Sequence, residues 1–209
     1  MAQIDLERKL IRISIVYFGP PGCGKETWVR FIHDNARNSE SLIEKNYANE
    51  SSISFTWDPW QGIKIEGFSH IFQFRTCSFD MSDKYPERSA ILSEADGLVF
   101  IADSFIENAN QNSLYFNEMM RQLRSFGADV TDGNAEASES ISTLVSNKIS
   151  NLRILKVPLV IAYNKRDSPH CASMAELEKT LTFNNACKFE AIGREGLGTH
   201  GTFDVQPKS

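Results

Sequence analysis

The sequence predicts a doubly wound α/β domain, built on a mostly parallel sheet with helices on both faces. Residues 11–18 alternate and then become wholly apolar, as a central strand does, and a glycine-rich loop and a helical pattern follow directly. Residues 98–102 (L-V-F-I-A) and 157–163 (V-P-L-V-I-A-Y) indicate two more buried strands. Helical patterns lie between these strands, and this alternation predicts the fold class.

The remaining elements follow from spacing and from turn residues. Gly127 is placed to end a helix at about Phe126, and Pro59 and Gly62 interrupt an extended run. Apolar residues recur at helical spacing between Ile141 and Leu152, which predicts an amphipathic helix. In chain order the predicted elements are a helix at 25–36, a polar segment at 37–54, extended segments at 53–68 and 70–75, a helix at 112–126, a loop at 128–140, a helix at 141–155, a helix at 174–181 and a strand at 188–192.

Composition limits the classes of function. The 209 residues fit one domain, and the hydrophobic (41%) and charged (23%) fractions are those of an ordinary globular protein. A net charge of −5 disfavours a nucleic-acid partner. The sequence predicts no signal peptide and no transmembrane segment, because it lacks a long apolar run. The four cysteines have no pairing or metal-ligand spacing, which predicts free thiols in a cytoplasmic protein.

The first motif is G-P-P-G-C-G-K-E-T at residues 19–27, between the first strand and its helix. In such a loop several backbone N–H groups converge on phosphate oxygens, and the lysine adds a positive charge near the β- and γ-phosphates. The motif therefore predicts a nucleotide-phosphate site. Its candidate binding residues are Gly19, Gly22, Cys23, Gly24, Lys25, Glu26 and Thr27.

Position 26 departs from the usual pattern G-x-x-x-x-G-K-[ST], in which a hydroxyl after the lysine helps to hold Mg²⁺. Glu26 stands there, and Thr27 comes one residue late. A carboxylate without a counter-charge, about 4 Å from a phosphate charge, is repelled by about 4 kcal/mol at an effective dielectric constant near 20. A carboxylate is also a hard oxygen ligand for magnesium. Two alternatives stay open: Glu26 repels the phosphates, or it is a metal ligand.

The second motif, N-K-R-D, follows the strand that ends at Tyr163 and contributes Asn164, Lys165 and Asp167. A carboxylate there can accept hydrogen bonds from N1–H and from the 2-amino group of guanine, a donor pair that adenine lacks. Together the two motifs predict a guanine-nucleotide site and argue against an adenylate kinase or an ATPase. A weaker element is F-E-A-I at the end of the last strand, where a backbone N–H near Ala191 could reach guanine O6.

With these motifs the chain resembles a Ras-like small GTPase of the P-loop NTPase class, and within that group the bacterial MglA family of polarity switches of gliding motility. The resemblance extends from residue 11 to about 198. It rests on I-V-Y-F-G-P-P-G-C-G-K, I-x-G-F at 65–68, A-D-G-L-V-F-I-A-D-S at 95–104, Y-N-K-R-D at 163–167 and F-E-A-I at 189–192. It implies a single GTP/GDP-binding domain over residues 1–209, recruited to a cell pole and regulated by a roadblock-fold activator.

The resemblance also implies roles, and departures from them. Ser52 falls where the family has the switch-I threonine, which makes it a candidate catalytic and metal-binding residue, and Ser51 replaces the catalytic arginine. Thr76 falls at the magnesium-side position. Where the family has T-x-x-G-Q, this chain has T-C-S-F-D at residues 76–80. Phe79 therefore replaces a glycine, and Asp80 replaces the glutamine that orients water. Relative to the family, residues 128–155 are predicted to be an insertion. The chain ends at Ser209, where the family has a long final helix.

The altered catalytic positions and the intact guanine motif together predict a molecular switch that binds guanine nucleotide, hydrolyses GTP slowly or not at all, and acts through protein partners in polarity or motility. The participation of Mg²⁺ stays open. One alternative is a pseudoGTPase scaffold that binds no nucleotide, indicated by Glu26 and Phe79. Another is an active GTPase in which Asp80 or another carboxylate positions water.

Overall fold

A mixed, mostly parallel sheet forms the centre of the protein in the computed structural model. The structure describes residues 2–47, 50–77, 86–131, 155–181, 183, 186–196 and 198. Within them the strands are β1 (Gln3–Asp5), β2 (Leu10–Phe18), β3 (Ile43–Tyr47), β4 (Glu50–Trp57), β5 (Ser69–Cys77), β6 (Gly97–Asp103), β7 (Ala128–Thr131), β8 (Leu155–Asn164) and β9 (Cys187–Glu190). The helices are α1 (Lys25–Asn35), α2 (Pro86–Ser93), α3 (Ala109–Ser125) and α4 (Met174–Thr180).

The strand order is β3-β4-β5-β2-β6-β8-β7, with β1 beside β2 and β9 beside β8. Pairs β2–β5, β2–β6, β6–β8 and β8–β9 are parallel, whereas β3–β4 and β4–β5 are antiparallel. Register places Phe18 opposite Cys77, and Asp103 opposite Asn164. The carboxyl ends of β2, β5, β6 and β8 therefore meet at one edge of the sheet, where ligands bind in this class of fold.

Two hydrophobic cores lie on opposite faces of the sheet, because successive side chains of a strand point to opposite faces. On β6, Phe100 belongs to the core that contains Phe116 and Met119 of α3, and Ile101 belongs to the core that contains Trp28 of α1. All seven residues of β6 are buried. A parallel strand covered on both faces reads as a continuous apolar run, which is why the sequence predicted it.

The predicted fold class is confirmed: the sheet is mostly parallel, and helices cover both faces. The sequence missed the two strands at the sheet edges. β3 lies in the segment predicted to be only polar, and its Ile43 is 58% exposed. β7 lies in the predicted loop at 128–140 and pairs in parallel with β8. Both strands are short, with five residues in β3 and four in β7, so their sequences give too short a pattern to identify a strand.

The remaining differences concern β1, α2 and the predicted insertion. The sequence patterns predict neither β1 nor α2. The predicted helix at 141–155 lies outside the described residues except for Leu155, which begins β8 opposite Ala128. The helix therefore does not extend to Leu155, and the rest of it stays a prediction.

A stack of aromatic rings on the α1 side gives a test of the fold. Phe74 is fully buried, and its ring lies 4.8 Å from that of Phe55 with 9° between the planes. We expect Phe74→Ala to lower the free energy of unfolding by about 3–5 kcal/mol, because truncation leaves a cavity. Urea denaturation measures this change. Phe126→Ala, at a position 37% exposed, is the control, with an expected loss of about 1 kcal/mol or less. Equal losses in both variants would contradict this packing.

Candidate functional site

The glycine loop connects β2 to the amino end of α1. Gly24 is the N-cap residue with φ of 98°, and as a glycine it has no side chain to cap the helix. A side chain at Gly24 would collide with Nδ2 of Asn164. Gly22 is exposed and Cys23 is buried. A helix amino end that begins after a glycine suits the phosphate site that the sequence predicts, and that site stays a prediction.

Lys25 is buried, with only 1% of its surface exposed. Its Nζ donates a hydrogen bond to the Pro20 carbonyl oxygen (3.4 Å) and lies 3.5 Å from Oε1 of Glu26. The lysine therefore stands inside the loop, as a phosphate-binding lysine should. Glu26 is not an unneutralised charge, which corrects the premise of the repulsion estimate. The pair also offsets part of the positive charge that Lys25 would offer a phosphate.

Thr27 does not take the place of the missing hydroxyl. It is exposed, whereas Glu26 is partly buried. One residue along an α-helix corresponds to about 100° of rotation, so the two side chains leave α1 in different directions. Position 26, not position 27, faces Lys25.

Asn164 joins the two sequence motifs. It ends β8, is 4% exposed, and donates from Nδ2 to the Cys23 carbonyl oxygen at 2.8 Å. Its Oδ1 accepts a hydrogen bond from the Gly193 N–H, also at 2.8 Å. Both polar atoms of a buried amide are thus satisfied within the protein. This one side chain therefore holds together the glycine loop, the end of β8 and the turn after β9.

Lys165 is held by two residues that the sequence analysis did not assign to the site. Its Nζ donates to Oδ2 of Asp103 at 2.7 Å and lies 5.4 Å from the centre of the Phe105 ring. Its backbone has φ of 67°, an uncommon conformation for a residue other than glycine. Asp103 is buried at the carboxyl end of β6, which borders β8. A carboxylate at that strand end was the signal that could have identified it.

Asp167, the predicted base-recognition residue, lies in the loop after Lys165. Its side chain is 24% exposed, and Oδ2 lies 2.7 Å from a terminal nitrogen of Arg194. The neighbouring Arg166 is tied to Glu190 (3.2 Å) and donates to the Ala172 carbonyl oxygen (2.6 Å). Asp167 is therefore positioned on a fixed loop, and the sequence analysis missed its partner, Arg194.

Comparison with known proteins agrees with the resemblance that the sequence motifs predict. The chain is 28% identical over 214 residues to the mutual gliding-motility protein MglA of Myxococcus xanthus (strain DK1622), and the match covers 100% of this chain and 95% of that protein. The predicted resemblance to the MglA family is confirmed: this chain is similar to that protein over its whole length. No family model matches it.

The fold is also similar to that of a solved structure. A crystal structure of the G domain of the T. maritima FeoB iron transporter superposes with a TM-score of 0.51 at 12% identity. The match covers 92% of this chain and 95% of that one. At this identity the likeness concerns the fold alone.

The position predicted for switch I lies in a regular strand. Ser52 is in β4, opposite Lys45 of β3. The next residue, Ile53, donates its N–H to Oγ1 of the buried Thr76 at 2.8 Å. The hydroxyl at the magnesium-side position is thus used in joining β4 to β5. Phe79 and Asp80, the other predicted switch and catalytic positions, lie outside the described residues.

The backbone around Ala191 requires a correction. Its N–H donates to the Tyr163 carbonyl oxygen (2.8 Å), and its own carbonyl oxygen accepts from the Arg166 N–H (3.1 Å). Ala191 therefore borders the predicted base site, but its N–H already donates to the strand and is not available for guanine O6 in this arrangement.

The thiol of Cys23 is not a nucleophile at neutral pH. Burial raises the pKa of Cys23 to about 11, and the nearby charge of Lys25 lowers that pKa by a smaller amount. The thiol stays protonated, so Cys23 fills space in the loop. Among the residues that the structure describes, no three His, Cys, Asp or Glu side chains converge as a metal site.

A separate cavity of about 440 Å³ opens between α3 and α4. Its walls include Phe116, Met120 and Leu181, with Arg121 and Arg124 at α3. None of its lining residues belongs to the two nucleotide motifs.

The two hydrogen bonds of Asn164 predict that Asn164→Ala greatly lowers the free energy of unfolding. The variant leaves the Cys23 carbonyl and the Gly193 N–H without their partner, and each unsatisfied buried group costs about 1–3 kcal/mol. We expect a loss of about 2–5 kcal/mol in the free energy of unfolding, measured by urea denaturation. Asn110→Ala, at an exposed position of α3, should change it by about 0.5 kcal/mol or less. Similar small losses in both variants would refute the joining role of Asn164.

Proposed function

We propose that this chain binds GTP and GDP at the glycine loop and the N-K-R-D loop, and that it hydrolyses GTP slowly or not at all. The observation that carries this proposal is the pair of hydrogen bonds from Asn164 to the Cys23 carbonyl oxygen and from the Gly193 N–H to Asn164. They bring the predicted phosphate site and the predicted base site to one edge of the sheet, which supports one ligand that spans both.

Each end of the site has groups of suitable chemistry. The backbone N–H groups at the start of α1 and the ammonium of Lys25 would bind phosphate oxygens. The carboxylate of Asp167 would accept hydrogen bonds from the guanine edge, and Asn164 would keep the two loops in register. Lys165, held by Asp103, would border the base. GTP, when bound, supplies the phosphoanhydride bond that such switches hydrolyse.

Slow hydrolysis is proposed from the residues that have changed. Acceleration of phosphoryl transfer in this class depends on a metal ion, a residue that orients water and an arginine. Here Glu26 replaces the metal-binding hydroxyl, Ser51 stands at the arginine position and Asp80 at the glutamine position. An active GTPase in which Asp80 positions water is the opposing hypothesis.

Magnesium would have to be held by Glu26 and Ser52 together with the phosphates. The contact of Glu26 with Lys25 at 3.5 Å disfavours Glu26 as a ligand, because a metal ion there would compete with the ammonium for the carboxylate. Ser52 lies in the β3–β4 ladder. We therefore propose that nucleotide binding depends weakly on magnesium.

A nucleotide-free scaffold is the second candidate, and one observation favours it. Lys25 contacts Glu26, and Asp167 contacts Arg194, so both charged groups that would bind the nucleotide already have internal counter-charges. Nucleotide content after purification separates the two candidates. Chromatography of the nucleotides released from denatured protein should yield GDP. If the protein retains no GDP after incubation with it, the scaffold is supported.

The output of the switch is proposed to be binding to protein partners in cell polarity or motility, including a roadblock-fold activator. The name of the M. xanthus relative, a mutual gliding-motility protein, supports this process. We further propose a cytoplasmic protein that is recruited to a cell pole. None of the helices in the described parts of the chain is long and apolar enough to cross a bilayer.

Asp167→Asn tests the base site. The substitution turns one acceptor of the carboxylate into a donor, which removes a charge-assisted hydrogen bond and sets two donors against each other. We expect GDP affinity to fall by about 30–1000-fold, equivalent to about 2–4 kcal/mol, by calorimetry. Asp34→Asn, at an exposed position of α1, is the control and should bind GDP as the unmodified protein does. Equal affinities in all three proteins would show that the base does not contact Asp167.

Glu26 should bias the site towards GDP, because its contact with Lys25 offsets part of the positive charge that would attract the additional negative charge of GTP. We expect Glu26→Thr to raise GTP affinity about tenfold or more, chiefly with magnesium present, since it frees the Lys25 ammonium and restores a hydroxyl ligand. Glu26→Gln separates the two effects, because it removes the charge without a hydroxyl and should raise affinity regardless of magnesium. Titration of GDP and GTP with magnesium or with excess EDTA measures both. If the unmodified protein prefers GTP and loses it in EDTA, Glu26 is a metal ligand.

A further inference from the structure

An arginine outside both sequence motifs contacts the carboxylate that would read the base. A terminal nitrogen of Arg194 lies 2.7 Å from Oδ2 of Asp167. Within the described part of the chain, Oδ1 of the same carboxylate has no comparable ion-pair partner. The two acceptor oxygens of Asp167 are therefore unequal, because the ion pair with Arg194 is made by Oδ2.

The position of Arg194 is set by its backbone. It lies in a 3-10 turn from Gly193 to Glu195 that follows β9. The Gly193 N–H is bonded to Asn164, and a Cβ at Gly193 would overlap the indole ring of Trp28. The turn is thus packed against α1 and tied to the end of β8. The side chain of Arg194 is 66% exposed and reaches Asp167 from this fixed backbone. Its Nε lies 3.6 Å from Oε1 of Glu195.

We propose that Arg194 is a specificity-determining residue of the base site, which holds one oxygen of Asp167 and competes for it with the 2-amino group of a purine. This inference rests on the proposed function. Guanine offers two donors, N1–H and the 2-amino group, and needs both oxygens of the carboxylate. Hypoxanthine offers only N1–H, which Oδ1 alone can accept. Arg194 therefore weakens guanine binding and leaves hypoxanthine binding unchanged.

The size of the effect follows from the exposure of the pair. An ion pair of this exposure is weak, so its removal should change affinity by about two- to fivefold. Salt screens an exposed ion pair. Higher ionic strength should therefore raise the ratio of GDP to IDP affinity of the unmodified protein, as removal of Arg194 does. The ratio of GDP to IDP affinity isolates the base, because the phosphates of the two nucleotides are identical.

Calorimetry with GDP and IDP on three proteins tests the proposal. Arg194→Met keeps the length of the side chain and removes its donors, so we expect a two- to fivefold gain in GDP affinity, no change for IDP, and a higher GDP-to-IDP ratio. Arg121→Met is the matched control, because Arg121 is similarly exposed (63%) and paired with Glu118 on α3. It should leave both affinities unchanged.

The possible failures can be told apart. If GDP binds and the GDP-to-IDP ratio is the same in Arg194→Met and in the unmodified protein, or falls in the variant, the assignment of Arg194 is overturned while the proposed function stands. If none of the three proteins binds GDP or IDP, the proposed function is overturned and the assignment of Arg194 with it.

Discussion

The architecture of the site depends on one buried amide. Asn164 holds the phosphate loop through the Cys23 carbonyl oxygen and the turn after β9 through the Gly193 N–H. A buried amide with both ends bonded has one acceptable orientation, because any other leaves a polar group unsatisfied. The close approach of Asn164 to Gly24 then requires a residue without a side chain at the start of α1. Loop, helix and base-side turn are therefore positioned as one unit.

The charges of the site are paired within the protein. Lys25 contacts Glu26, Lys165 contacts Asp103, and Asp167 contacts Arg194. The three pairs differ in burial, and burial decides their roles. The side chain of Asp103 is 4% exposed, so removing Lys165 would leave a buried charge, which is strongly destabilising. The Arg194 pair is exposed and weak, so a ligand can exchange with it. A polyanionic nucleotide would meet a site that is already neutralised, which lowers its affinity without abolishing the recognition groups.

The switch side of the site is tied to the sheet. The Thr76 hydroxyl accepts a hydrogen bond from the Ile53 N–H. Ser52, which precedes Ile53, pairs with β3. A residue in a strand ladder must break that pairing before it can reach a ligand. This restraint and the residues at positions 26, 51 and 80 support the proposal that GTP is hydrolysed slowly.

The sequence alone determined the central strands and the two motifs, because both are local. β6 and β8 are buried on both faces, so only apolar residues suit them, and the motif residues follow strand ends directly. Edge strands such as β3 and β7 left no such signal, because they have only five and four residues. Only the tertiary structure decided the partners of the motif residues. Asn164 and Cys23 are 141 residues apart, and Lys165 and Asp103 are 62 apart, so no spacing in the sequence predicts their contact. The pairing of Glu26 with Lys25 and the use of the Ala191 N–H within the sheet were decided in the same way, by where the folded backbone directs each group.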